Sequence, residues 1–141
     1  MAYQRLGITD LVVAIQKKVE EKTGLRCYDF VERNTLSPFY FVEVIGTVPE
    51  NTKTMFCDKF NVYVHCIDAP QNDGAISSVG VYKLIEGLQE ALTENVELPE
   101  SFDLIYQTDN GVQTIKIDET NEKHAVLSFD FKVCYGFRCK I

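Results

Sequence analysis

The 141-residue sequence has no tryptophan, only two histidines and no long apolar run. Apolar stretches such as residues 11–15 and 39–42 are far shorter than the ~20 apolar residues that a membrane-spanning helix needs. No basic segment followed by an apolar one opens the chain, so we expect no secretory signal peptide. The length predicts one domain, residues 1–141, and these absences predict that it is made and kept in a cytoplasm and has no membrane partner.

Basic residues are also scarce. Fourteen Lys and Arg face twenty-one Asp and Glu, which gives a net charge of −7 and a pI near 4.8. The dense basic spots are confined to residues 17–18 and 138–140. Proteins that bind nucleic acid use basic clusters to replace condensed counterions, so specific DNA or RNA binding is not expected.

Recognisable site motifs are missing as well. The five cysteines are an odd number and contain no CxxC pair, so we expect buried free thiols and neither a disulfide framework nor a metal site. They are Cys27, Cys57, Cys66, Cys134 and Cys139. The glycines form no phosphate-binding motif, and the acidic connectors around residues 94–103 and 118–122 lack the spacing of a calcium loop. We therefore predict no cofactor.

A cysteine-dependent enzyme or a small-ligand module stays open as an alternative. His65 and Cys66 are neighbours in a predicted strand, so they point to opposite faces and cannot pair directly. A Cys27–His124 or a Cys134–His65 pair across strands could still form a nucleophile and its base. The favoured interpretation is packed thiols and half-exposed imidazoles, with no catalytic residue.

Two amphipathic helices are predicted. The first covers residues 10–23, begins at a cap on Thr9 or Asp10 and ends at Gly24. The second follows a capping serine at position 77 or 78. Its apolar stripe consists of Val81, Leu84, Ile85, Leu88 and Leu92.

Six strands are predicted from period-two alternation and turn residues. They cover residues 26–33, 39–47, 56–68, 102–108 and 112–118 and a last strand around 125–135, with Asp109-Asn110-Gly111 as a hairpin turn between the fourth and fifth. The order is α-β-β-β-α-β-β-β. This pattern predicts an α+β fold, in which two helices pack on one face of a largely antiparallel sheet.

The alternation in residues 39–44 places Phe39 and Phe41 on one face and Tyr40 on the other, and we expect Phe41 to be a buried core aromatic. Tyrosine is common both in cores and at protein interfaces. Both positions therefore stay open for the strand tyrosines, which are Tyr40, Tyr63, Tyr106 and Tyr135.

The order of these segments resembles a known family. Leu11-x-x-Ala14-Ile15 and Gly24 are followed by Tyr28-Asp29-Phe30-Val31, by the Pro38–Gly46 strand (PFYFVEVIG) and by the Phe60–His65 strand (FNVYVH). A loop, an amphipathic helix and a final strand complete the pattern. It is similar to the small tail-completion proteins of long-tailed bacteriophages, the tail-terminator or head-to-tail joining group.

The resemblance implies a structural protein without catalytic residues, located in the virion tail or neck and in the host cytoplasm during assembly. Such proteins form rings, commonly hexamers, that contact the tail-tube protein and the head connector while DNA passes through the lumen without specific binding. The expected interface candidates are Tyr40, Tyr63 and Tyr135, with Thr52, Lys53 and Asp73 on the two loops at residues 48–58 and 69–77. A monomeric adaptor, or another minor tail or neck protein, is the alternative.

Overall fold

The computed structural model describes residues 5–30, 38–69, 78–117 and 122–137. In chain order, its elements are α1 (Ile8–Thr23), β1 (Cys27–Tyr28), β2 (Phe39–Pro49), β3 (Met55–Ile67), α2 (Val79–Ala91), β4 (Asp103–Ile117) and β5 (Lys123–Phe137). The predicted α+β class is confirmed, and the elements follow in the predicted order, with one merger of strands described below. Neither helix is long and apolar enough to cross a membrane.

The five strands form one sheet in the order β1-β2-β3-β5-β4. Only the short β1–β2 pair is parallel, and the other three pairs are antiparallel. Both helices pack on the same side of this sheet, which we call the helix face. The opposite side, which we call the outer face, is not covered by any helix among the described residues.

The core lies between the helix face and the two helices. The predicted stripe of α2 is buried, and β3 buries one alternating set of side chains, which are Phe60, Val62, Val64 and Cys66. Tyr40 points into the same core: it is 1% exposed, and its hydroxyl donates a 2.8 Å hydrogen bond to the carbonyl oxygen of Leu84. This contact fastens the middle of α2 to β2.

The helix ends differ partly from prediction. Gly24 ends α1 in the left-handed region, with φ of 74°, as its position after the last apolar residue indicated. The predicted cap at Thr9 or Asp10 is wrong, because α1 begins at Ile8 and has Gly7 at its N-cap. Ser78 does occupy the N-cap of α2, but its hydroxyl accepts a bond from Lys123 Nζ and makes no capping bond.

The predicted hairpin at Asp109-Asn110-Gly111 is a bulge inside one strand. Asp109 pairs with Phe129 and Val112 with Leu127, so two residues of β4 lie opposite a single residue of β5. Gly111 has φ of 90°, and the Asp109 carboxylate accepts its amide N–H at 2.7 Å. A glycine with positive φ suits a bulge as well as a turn, and the 15-residue β5 pairs with both halves of β4.

Two predicted loops also need correction. The loop at residues 48–58 is mostly strand, since β2 continues to Pro49 and β3 starts at Met55, which leaves only a tight turn between them. The predicted strand at residues 26–33 is reduced to Cys27–Tyr28 among the described residues. The loop at residues 69–77, including Asp73, lies almost entirely outside the described residues.

The prediction that all the cysteines are free is wrong. Cys57 and Cys134 lie opposite each other on the adjacent strands β3 and β5, with 4.1 Å between their Cα atoms, and they form a disulfide. Their 77-residue separation in sequence hid this proximity. Cys27 and Cys66 are the buried free thiols that were expected, and Cys139 lies outside the described residues.

Candidate functional site

The outer face is the most polar surface that the sheet presents. Antiparallel pairing brings side chains from β2, β3 and β5 into rows across it, where neighbours shield one another and leave most of them half-buried. These residues are Phe41, Glu43, Asn61, Tyr63, His65, His124, Ser128, Asp130 and Lys132. Phe41 is therefore not the core aromatic that was predicted: it is half-buried on the outer face, and its ring lies tilted against the His65 ring with 4.9 Å between the ring centroids.

One row contains three titratable groups in direct contact. His65 Nε2 lies 2.8 Å from Glu43 Oε1, and His65 Nδ1 lies 2.6 Å from His124 Nε2. A carboxylate can only accept, so His65 Nε2 carries a proton; in the neutral ring Nδ1 then accepts from His124 Nε2–H. Partial burial lowers the pKa of His65, an effect that His124 and Lys116 reinforce and the Glu43 hydrogen bond opposes.

A second row forms a hydrogen-bonded network. The Asn61 amide donates to Asp130 Oδ1 at 2.9 Å and to Ser128 Oγ at 3.2 Å, and Lys59 lies 3.6 Å from Asp130. Burial alone would raise the pKa of the Asp130 carboxyl, but the amides of Asn61 and Asn110, together with Lys59, hold it below its ordinary value. Asp130 is thus an anion fixed in the sheet surface.

The geometry offers little to an enzyme. In the described part of the chain, no three His, Cys, Asp or Glu side chains are placed to hold a metal ion. Burial raises the pKa of the Cys27 thiol to about 12 and also raises the pKa of Cys66, which keeps both thiols protonated and unreactive. The disulfide removes Cys134 from any pairing with His65.

Among the described residues, two surface depressions outside the core are lined by neither cysteine nor histidine. One, of about 230 Å³, lies beside α2, where Lys22 Nζ contacts Glu94 at 2.8 Å. The other, of about 310 Å³, lies at the edge of β2 between Ile45 and Val48, with Asp130 on its wall. These are surface depressions with charged or aliphatic walls, which suit contact with another protein better than enclosure of a substrate.

The interface candidates are scattered over the molecule. Tyr40 is a buried core residue, so it is not available for direct contact with another subunit. The same burial raises the pKa of its phenol. Tyr63 lies half-buried in the middle of the outer face. Tyr135 is half-buried near the start of α1, where Arg5 Nε donates to its hydroxyl at 3.0 Å and the Phe56 ring stacks against it.

Thr52 and Lys53 lie together at the exposed turn between β2 and β3. The Thr52 hydroxyl accepts the amide N–H of Met55 at 3.0 Å, so it also shapes the turn itself. Asp73 lies outside the described residues. The geometry therefore leaves Tyr63, Lys53 and, in part, Thr52 and Tyr135 as surface candidates.

The contact between Glu43, His65 and His124 was not predicted from the sequence. Alternation along β2 could place Glu43 on the same face as Phe41, but it did not show which face is turned from the core, and only the strand register brings His124 beside His65. No feature within a single strand carries that information.

Comparison with known proteins adds to this geometry. Residues 2–141 match the model of a phage tail terminator family, described as "Putative tail termination protein". A chain in a solved structure titled "Virion of native gene transfer agent (GTA) particle" superimposes with a TM-score of 0.70 at 13% identity, covering 89% of this chain and 96% of that chain. At this identity the likeness shows a shared fold. No curated protein matches the sequence.

Proposed function

Since the chain belongs to the phage tail terminator family, we propose that it is a structural subunit of a ring, of six copies, at the head-proximal end of a phage tail. The ring caps the tail tube and offers its other side to the head connector. The protein acts through protein contacts alone and is located in the finished virion.

The family match over residues 2–141 carries this proposal. The described surface supports it: Glu43, His65 and His124, which contact one another, lie on an open sheet face instead of in a pocket. A half-buried polar face and open sheet edges are features of a protein that packs against others.

The net charge of −7 supports a second element of the proposal. DNA passing through a ring must not bind to its wall, and a wall of net negative charge repels the phosphate backbone. We expect the lumen to be negative. A ring structure with a basic lumen would contradict this part.

Deletion of the gene in a particle-producing strain tests the function. Without the protein, electron microscopy should show filled heads and tails that stay unjoined, and expression of the wild-type chain from a plasmid should restore joined particles. A matched control is the conservative exposed-helix variant Lys83→Arg, which should complement fully.

The position of the protein in the particle distinguishes the proposed role from that of another minor tail protein. Antibody labelling of intact particles should mark the junction of head and tail. Label at the distal tail tip would assign the chain to another minor tail protein, and joined particles at wild-type frequency after deletion would contradict the proposal altogether.

A further inference from the structure

The sheet has two open edges. In the described ranges, no strand pairs with the outer side of β4 (Asp103–Ile117), and β1 covers only Tyr40 and Phe41 of β2, so residues 42–49 are also open. An open edge presents unpaired backbone N–H and C=O groups, which readily add a strand from another chain.

Both edges carry exposed aliphatic side chains. On β4, Ile105, Ile115 and Ile117 are between 44% and 55% exposed; on β2, Ile45 and Val48 are 48% and 60% exposed. Monomeric proteins usually protect such edges with lysine and proline. β4 has one lysine, Lys116, and no proline, and the open part of β2 has no lysine and one proline, Pro49, at its last position. The depression of about 310 Å³ between Ile45 and Val48 gives the β2 edge room for a protruding side chain.

Strand polarity makes the two edges compatible. Three successive antiparallel pairs mean that β2 and β5 run one way while β3 and β4 run the other. In a ring with its axis along the strands, β4 of one subunit therefore meets β2 of the next in antiparallel orientation, which continues the sheet. A head-to-tail ring needs two different surfaces of this kind on every subunit.

The charges at one end of the sheet are complementary. Asp103 lies opposite Cys134, and Cys134 lies opposite Cys57, so Asp103 and Cys57 are at the same height along the strands. The Cys57 amide N–H donates to Asn51 Oδ1, which places the turn between β2 and β3 at this end of the sheet. Exposed Glu100 and Asp103 on one edge are thus at the same height as exposed Lys53 on the other.

We propose that neighbouring subunits of the ring join by antiparallel pairing of the β4 edge of one copy with the β2 edge of the next, with Lys53 facing Glu100 and Asp103. The proposal rests on the ring of the proposed function. A two-fold β4–β4 dimer is the main alternative, and it would leave the β2 edge unused.

A charge-swap experiment distinguishes these arrangements. Light scattering over a concentration series measures the midpoint of assembly for wild type, for Asp103→Lys and for Lys53→Glu. Each single variant places like charges at every contact, so its midpoint should rise about tenfold. Mixing the two variants restores opposite charges at every contact of an alternating ring, and the mixture should assemble within about threefold of wild type.

The double variant Asp103→Lys/Lys53→Glu should also assemble like wild type, and Lys83→Glu on the exposed side of α2 is the matched control that should have no effect. A β4–β4 dimer predicts instead that Lys53→Glu behaves as wild type. That result, a failure of the mixture to assemble, or a wild-type chain that stays monomeric at every concentration would each overturn edge pairing. None of them bears on the deletion phenotype, which tests the proposed function separately.

Discussion

The contact between Tyr40 and α2 allows a prediction with a defined sign and size. The Tyr40 hydroxyl donates to the carbonyl of Leu84 at 2.8 Å in the buried core. Tyr40→Phe removes this bond, while the Leu84 carbonyl keeps its helical partner four residues on. We therefore expect the free energy of unfolding to fall by about 1 kcal/mol, the net value of one such hydrogen bond.

Gly87 lies against the same hydroxyl. A Cβ added at this position would come within 3.3 Å of Tyr40 Oη. Alanine is favoured over glycine inside a helix by about 1 kcal/mol, but in the wild-type background this gain is offset by pressure on the hydroxyl. In the Tyr40→Phe background the obstacle is gone, so Gly87→Ala should stabilise the protein by close to the full amount.

Urea unfolding of the wild type, both single variants and the double variant measures this coupling. We expect a coupling energy of roughly 0.5–1 kcal/mol in favour of the double variant. Glu86→Ala, at the exposed neighbouring position of α2, is the control and should be additive with Tyr40→Phe. Additivity of Gly87→Ala and Tyr40→Phe within about 0.3 kcal/mol would refute this account of the helix contact.

Three further predictions follow. The Cys57–Cys134 disulfide closes a loop with a separation of 77 residues, so reduction should lower the free energy of unfolding by about 4 kcal/mol, and a Cys57→Ala/Cys134→Ala variant should not respond to reductant in urea unfolding. Burial lowers the pKa of His65 in the folded protein below its ordinary value of 6.5, so as pH falls the unfolded chain takes up a proton at this histidine before the folded chain does. The free energy of unfolding should therefore decrease as pH falls from 6.5 through the folded pKa, and thermal melts of His65→Gln should show a weaker pH dependence. Cys27 and Cys66 should resist alkylation at pH 8 until denaturant is added, as mapped by mass spectrometry, and modification of either thiol in the native protein would contradict their burial.

The sequence allowed the core to be predicted well where one element carries the whole signal. The stripe of α2 and the alternation of β3 depend on the period of a single helix or strand, and both are confirmed. Phe41 shows the limit. Alternation separates it from Tyr40 but does not say which set faces the helices, and the structure buries Tyr40.

Features that depend on register between distant segments could not be predicted. The Cys57–Cys134 disulfide and the His65–His124 contact both join β3 to β5 across more than fifty residues. The hairpin prediction at Asp109-Asn110-Gly111 failed for another reason. The same Asp-Asn-Gly sequence suits a hairpin turn or a bulge, and the pairing of β4 along β5 decides between them.

The candidate site was predicted only in outline. The family resemblance indicated a structural protein that acts through its surface and has no catalytic residue, and the family is confirmed. The residues that were nominated came from composition and loop position, and among them Tyr40 proves to be core. Lys53 gains a specific expected partner only when strand order shows that Asp103 lies at the same end of the sheet.

Electron cryo-microscopy of intact particles tests the central claim most directly. We expect a ring of copies of this chain between tail tube and head connector, with β4 of each copy hydrogen-bonded to β2 of the next and Lys53 near Asp103 at every contact. Density for the chain elsewhere in the particle, or its absence from the head–tail junction, would contradict the account.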